Sequence, residues 1–337
     1  MTETKRLLAF DLLKGVGILL VILGHIEIPH SLKTVIYSFH MPLFFFVSGC
    51  FFKSVSIKTF LCKKWNQLLV PWLFFATVLF IFLFVLSFYE THIFLTALWQ
   101  PINSVWDGLC GNENSFVLYR TIWFLICLFE VSLLYFVIDK IISLLCCYKY
   151  LLVSILSILF YVLGYLMNVY GIDMPYFLDT TLSVFVYFHL GYLFMQKQFY
   201  TKIMPVCFSL GILLCAIFFS IYFSVYVELK MNIFPLLLLP LSMLFVVSIY
   251  WLLAFFSRRK SQCGAVSKVV LWLGMNSQAL MGLHQPMIEL FGIIRHKLLL
   301  SNYVWSAFEF VIVVMLSCLT AWFVKKKFPV LLGVHNR

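Results

Sequence analysis

Apolar runs of spanning length recur along the whole chain, separated by short polar or basic stretches. Ten such runs can be drawn, over 7–28, 35–52, 68–88, 121–138, 151–170, 177–195, 203–227, 233–256, 269–288 and 302–324. A helix needs roughly 20 apolar residues to cross the hydrocarbon core, and the runs show no period-of-two alternation of the kind barrel strands carry. The pattern therefore predicts an all-α fold, a polytopic membrane helical bundle of about ten transmembrane helices. A single domain over 1–337 is expected, because the connecting loops are too short to bury a core of their own.

Charge orients the bundle. With both termini cytoplasmic, all but five of the 24 Lys and Arg residues fall on inner segments. The five on outer segments are Lys33, Arg120, Lys230, Arg295 and Lys297. This asymmetry follows the positive-inside rule, and an even number of spans agrees with it. A multi-pass protein of a cell (inner or plasma) membrane is the expected location. The first run lacks a small-residue cleavage site and carries internal charge, so it is expected to be retained.

Composition narrows the class further. At 64% hydrophobic and 11% charged residues, the chain could not keep its apolar surface from water as a soluble protein. The excess of bases over acids sits on membrane-flanking segments, so it points to topology and not to nucleic acid. The cysteines lie mostly inside apolar runs with no CxxC and no metal-type spacing, and read as small hydrophobes. No fixed-period repeat, Walker A pattern or complete dinucleotide fingerprint is present. Gly15 and Gly17 are instead expected to let a neighbouring helix or a ligand approach the first span.

The longest outer segment, 89–120, holds Trp99, Trp106, Asp107, Asn112, Glu113 and Asn114. Its preferred reading is an interfacial belt with an amphipathic surface segment; sugar binding is the alternative.

Candidate chemistry lies inside the runs. The first carries Asp11 and Lys14 near one end and His25 near the other, and ionisable groups in a spanning helix are functional candidates by default. On a helix Lys14 and His25 would share one stripe, about 20° apart and about 16 Å along the axis. Asp11 is about 21 Å from His25 and three residues from Lys14, so it is expected to pair with the lysine. His40 opens the second run at a depth similar to His25, and His284 lies at a similar depth in the ninth. Pro42 and Pro286 follow two residues behind them and can each free a backbone carbonyl. Three histidines at one level could bind zinc, serve a proton path, or act on a substrate. Zinc is disfavoured because no two of them stand at helical i,i+3 or i,i+4 spacing. Glu130, inside the fourth run, needs a partner or a proton and reads equally as a packing or a functional group. Trp123 reads as an interfacial anchor or a stacking platform.

An ordered set of motifs carries a family resemblance. These are FDLLKGVGILLVILGH (10–25), FHMPLFFFVSG (39–49), KKWNQLLVPW (63–72), IWFLICLFE (122–130) and LGMNSQALMGLHQP (273–286). Over essentially its whole length the chain resembles the acyltransferase-3 family of integral-membrane acyltransferases, in particular its sugar O-acetyltransferase branch. The resemblance implies transfer of an acyl group, commonly acetyl, from cytoplasmic acetyl-CoA to a hydroxyl of a cell-envelope or exported glycan. It makes His25 the essential histidine and places Lys14 at the position linked to acyl-CoA. Lys64 and Gln67 occupy the places where many members carry a basic pair. Gln67 departs from that pattern, and Lys63 is the substitute expected. Lys14, Lys63 and Lys64 would then meet the donor's phosphates, while His40, His284, Asn276 and Glu130 support the acceptor or the reaction. Asn276, Ser277 and Ser48 are candidate oxyanion donors. His25 is expected to act as general base, with a transient acyl-histidine as the other route. No metal is expected. The runner-up is a glycan exporter or flippase on the same fold.

Overall fold

The computed structural model describes residues 3–109, 122–145, 148–172, 174–202, 204–223, 235–259, 264–298 and 303–333. Among the described residues the ordered elements are helices, with no strand. In chain order they are α1 (Glu3–Gly24), α2 (His30–Tyr37), α3 (His40–Cys50), α4 (Ile57–Lys64), a π-helical turn (Trp65–Leu69), α5 (Val70–Thr91) and α6 (Phe94–Leu109). Then come α7 (Trp123–Leu145), α8 (Lys149–Val169), α9 (Leu178–Gln196), α10 (Val206–Tyr222) and α11 (Pro235–Arg259). The last are α12 (Ala265–Met275), α13 (Ser277–Leu298) and α14 (Tyr303–Lys327). Short 3₁₀ turns precede α9, follow it, and close the described chain at Pro329–Leu332.

Among the described residues, five helical stretches are long and apolar enough to cross a membrane: Ile57–Thr91, Lys149–Val169, Leu178–Gln196, Leu237–Arg258 and Tyr303–Lys327. The shorter helices Val206–Tyr222 and Ala265–Met275 are also apolar. Helices α1 and α7 reach 22 and 23 residues and carry ionisable residues in their interiors. The protein is a polytopic helical membrane protein.

Several expected spans differ in outline. The first, 7–28, ends as a helix at Gly24, so His25 lies just beyond the helix it was expected to share with Lys14, and the fourth, 121–138, runs on to Leu145. The second, 35–52, is two helices: the chain leaves helical geometry at Phe39, with φ −148° and ψ −16°, and re-enters at His40. Pro42 explains the position of the break. It falls in the first turn of α3, where backbone N–H groups have no intrahelical acceptor anyway, so its missing donor costs nothing there. The ninth, 269–288, breaks at Asn276 between α12 and α13. The third begins eleven residues early, at Ile57 instead of Leu68, because Ser56 caps the helix by accepting from the Thr59 N–H at 3.3 Å.

The residues group into two compact units. The first comprises Met1–Phe52, Val184–Ser277 and Ser301–Val314. Its aromatic core centres on Phe10, whose ring lies 4.9 Å from Tyr250 and 5.2 Å from Phe51, while Phe39 stacks on Phe245 at 4.5 Å. Helix α1 packs on α12 backbone to backbone. A Cβ at Gly15 would land on the Val270 carbonyl, and one at Gly274 on the Asp11 carbonyl. The expectation that Gly15 lets a helix approach is met there, while Gly17 faces the Leu43 and Phe44 side chains of α3. Small residues at such crossings let membrane helices gain close packing where no hydrophobic drive is left.

The second unit comprises Lys53–Ser183, Gln278–Leu300 and Met315–Arg337. Phe60 of α4 stacks on Phe136 of α7 at 4.3 Å, and Lys149 at the start of α8 pairs with the buried Asp139 of α7 at 2.6 Å. Helix α6 buries Ala97 and Pro101 and leaves Trp99 and Trp106 63% and 67% exposed. Asn112, Glu113, Asn114, Cys110 and Arg120 lie outside the described residues.

Candidate active site

In the first unit, two consecutive helix ends are closed by side chains of the element that follows. The last carbonyls of a helix have no partner within it. At the end of α1 the Tyr37 hydroxyl donates to the Gly24 carbonyl at 3.2 Å. At the end of α2 the His40 ring donates from Nδ1 to the Ile36 carbonyl at 2.9 Å. A carbonyl can only accept, so Nδ1 of His40 carries a proton.

His25 is the first residue beyond α1 and is half-buried. Its backbone N–H is shared between the Val21 and Ile22 carbonyls, each at 3.3 Å. The Tyr37 ring stands edge-on to both imidazoles, 4.8 Å from His40 and 6.5 Å from His25 between centroids. The structure therefore brings His25 and His40 to one place with Tyr37 between them. Tyr37 was not singled out from sequence; its position three residues before His40, at the polar end of an apolar run, is the signal that was there to find.

At the other part of α1, Lys14 pairs with Asp11 at 2.7 Å, as the three-residue spacing predicts. The pair is roughly a quarter exposed on each side, so the lysine's charge is balanced but still reachable. Ser48 commits its single proton to the Phe44 carbonyl at 2.8 Å, which removes it as a ready oxyanion donor in this arrangement. Asn276 is buried at the α12–α13 break, and its side-chain amide donates to the Trp272 carbonyl at 2.7 Å. One of its two N–H donors is thus spent on ending α12.

In the second unit, His284 is fully buried on α13. Its Nδ1 donates to the Leu280 carbonyl at 3.0 Å, so it too carries a proton there. Glu130 accepts from the Thr181 hydroxyl at 2.8 Å, and Thr181 lies 3.3 Å from the Cys127 sulfur. Trp123, expected as an anchor or a stacking platform, is buried against Phe177 with centroids 5.9 Å apart. Lys63 is exposed. Lys64, the last residue of α4, reaches inward and donates to the Ser132 hydroxyl at 3.0 Å. The π-helical turn begins at the next residue, and such turns often sit at functional sites. The Gln67 carbonyl within it accepts from the Gln278 side chain at 2.6 Å. Ser132 and Thr181 were also missed: Ser132 is a hydroxyl in an apolar helix, and Thr181 is one of several polar residues in the first turns of α9, patterns too common to single out.

These features define a helical membrane protein with His25 and His40 at helix breaks, Lys64 at a helix end, and Lys14 and His284 within helices. The chain belongs to the acyltransferase-3 family: the family's acyltransferase-domain model matches residues 7–325. Comparison with curated proteins and with solved structures gives no match. The protein is a membrane acyltransferase.

Proposed function

We propose that the protein moves an acyl group, acetyl in the simplest case, from cytoplasmic acyl-CoA to a sugar hydroxyl of a cell-envelope or exported glycan. The observation that carries this reading is the family match together with helix α1, which bears the Lys14–Asp11 pair in its interior and His25 just past its end. A nucleotide thioester has phosphate charges at one end and its reactive carbon at the end of a long arm. Lys14, Lys63 and Lys64 suit the phosphates, and His25 suits the thioester.

In this reading a neutral His25 ring takes the proton of the sugar hydroxyl as its oxygen attacks the thioester carbon. The tetrahedral oxyanion collapses, the carbon–sulfur bond breaks, and the proton passes to the departing CoA thiolate. An ester and free CoA result. His40 supports the proton's passage. His284, Asn276 and Glu130 serve the acceptor or its surroundings.

The test compares base-labile acyl esters on surface glycans from cells making wild type, His25→Ala, or no protein, at matched membrane levels. Esters that appear only with wild type support the reading. Esters unchanged by His25→Ala overturn His25 as the base, and glycan export without esters points to an exporter. Purified protein should release free CoA from acetyl-CoA only when acceptor glycan is present.

A further inference from the structure

In the first unit the single side chain of Tyr37 touches the end of α1, His25 and His40. Its hydroxyl holds the carbonyl of Gly24, the residue to which His25 is directly joined. Its ring lies so close to Gly24 that a Cβ there would meet the ring edge at 2.9 Å. The ring also meets the imidazoles of His25 and His40, and the Lys33 ammonium sits 5.4 Å from its centroid. A buried tyrosine commonly finds a hydrogen-bond partner simply to avoid a lost one. Here the partner is the peptide that sets the direction of His25.

We propose that Tyr37 is a positioning residue for His25: its hydroxyl pins the peptide from which the imidazole departs, and its ring holds the spacing between His25 and His40. Phenylalanine would fill the same volume but leave the Gly24 carbonyl without this donor. Serine or threonine would carry a donor too short to reach it. The small residue at 24 is part of the same device, since a methyl group there would push the ring away. The consequence for turnover rests on the acyl-transfer reading; the consequence for the His25 ring does not.

The experiment therefore has two arms. Purified full-length wild type, Tyr37→Phe and Gly24→Ala are treated with diethyl pyrocarbonate, and carbethoxylation is followed by peptide mass spectrometry at His25 and at the exposed His92. The same proteins, with His25→Ala added, are assayed for acyl transfer. The His25 modification rate should change about fivefold in Tyr37→Phe, the population shift that one ordinary hydrogen bond commands, with His92 unchanged. Gly24→Ala should shift it in the same direction, and it decides the matter if Tyr37→Phe is not recovered folded. The kcat of Tyr37→Phe should fall about tenfold with KM for acyl-CoA held, as expected when only the reacting geometry is lost. A His25 modification rate equal to wild type in the folded variants overturns the proposal. Should His25→Ala retain full turnover, the general-base reading falls, and the labelling arm still decides the role of Tyr37.

Discussion

The ammonium of Lys64 donates to the Ser132 hydroxyl at 3.0 Å, and that hydroxyl donates its own proton to the Leu128 carbonyl at 2.6 Å. The lysine is thus steered by a neutral group. Among the described residues no carboxylate pairs with it, so its charge is available to an anion. Hydrogen bonds to charged groups contribute about 1.5–3 kcal/mol, so Ser132→Ala should raise KM for acyl-CoA about tenfold while leaving kcat near wild type. Lys64→Met should raise it further. Initial rates over a range of acyl-CoA concentrations check this, and an unchanged KM in Lys64→Met removes Lys64 from the donor site.

Asp11 and Lys14 allow a cleaner separation of charge from packing. Exchanging them, Asp11→Lys with Lys14→Asp, keeps an i,i+3 pair on α1 but moves the cation by about one turn, roughly 5 Å. The exchanged protein should unfold within a few degrees of wild type, yet require a higher acyl-CoA concentration for half-maximal rate. Asp11→Asn alone should instead lower thermal stability, because a lysine inside an apolar helix loses its counter-charge. Full activity of the exchanged protein at low acyl-CoA would show that Lys14 matters only as half of a pair.

The α1–α12 crossing predicts a contrast among glycines. At Gly15 and Gly274 a Cβ meets backbone carbonyls, which cannot rotate aside, so alanine at either position forces the helices apart. Overpacking of this kind typically costs about 1–3 kcal/mol. At Gly211 and Gly292 nothing lies within 4 Å of the added atom. Alanine at those two should be neutral or stabilising by up to about 1 kcal/mol through helix propensity. Thermal unfolding in one detergent, followed for all four variants, checks the ordering.

Glu130 and Thr181 form a polar contact between α7 and α9. Thr181→Val keeps the shape but removes the donor, and should destabilise by about 1 kcal/mol because the half-buried Glu130 carboxylate loses that partner. Glu130→Gln preserves an oxygen that can accept from Thr181 and should unfold close to wild type. If Glu130→Gln nevertheless loses acyl transfer at normal stability, the carboxylate is needed for the reaction and not for packing.

Much of the helical layout was legible because hydropathy reports directly on the solvent that a helix must satisfy. What it could not report is backbone direction. The break at Phe39 falls inside a run of spanning length, and only Ser38, His40 and Pro42 around it hint at it. The break at Asn276 follows from one amide turning back on Trp272. The start of α4 was hidden by KTFLCKK, a stretch too polar to read as a span, although Ser56 is an ordinary cap. Within the site, the Asp11–Lys14 pair was legible because both residues sit on one helix at a spacing that fixes their distance. The Tyr37 contacts were not, because they depend on how two helix ends meet, which no local pattern encodes.

The glycines of α1 carry a consequence for how the first unit is made. Gly17 and Gly24 meet α3 and α2, which the ribosome supplies almost at once, but Gly15 meets α12, near the far end of the chain. At about 5–20 residues per second, α1 waits about 10–50 s for that surface after it is synthesised. During that interval its backbone-thin groove, with Asp11 and Lys14 beside it, is open to lipid or to whatever assists insertion. Maturation of the first unit is therefore a late event gated by the last third of translation, and slowing elongation there should prolong the window in which the nascent enzyme is open to proteolysis.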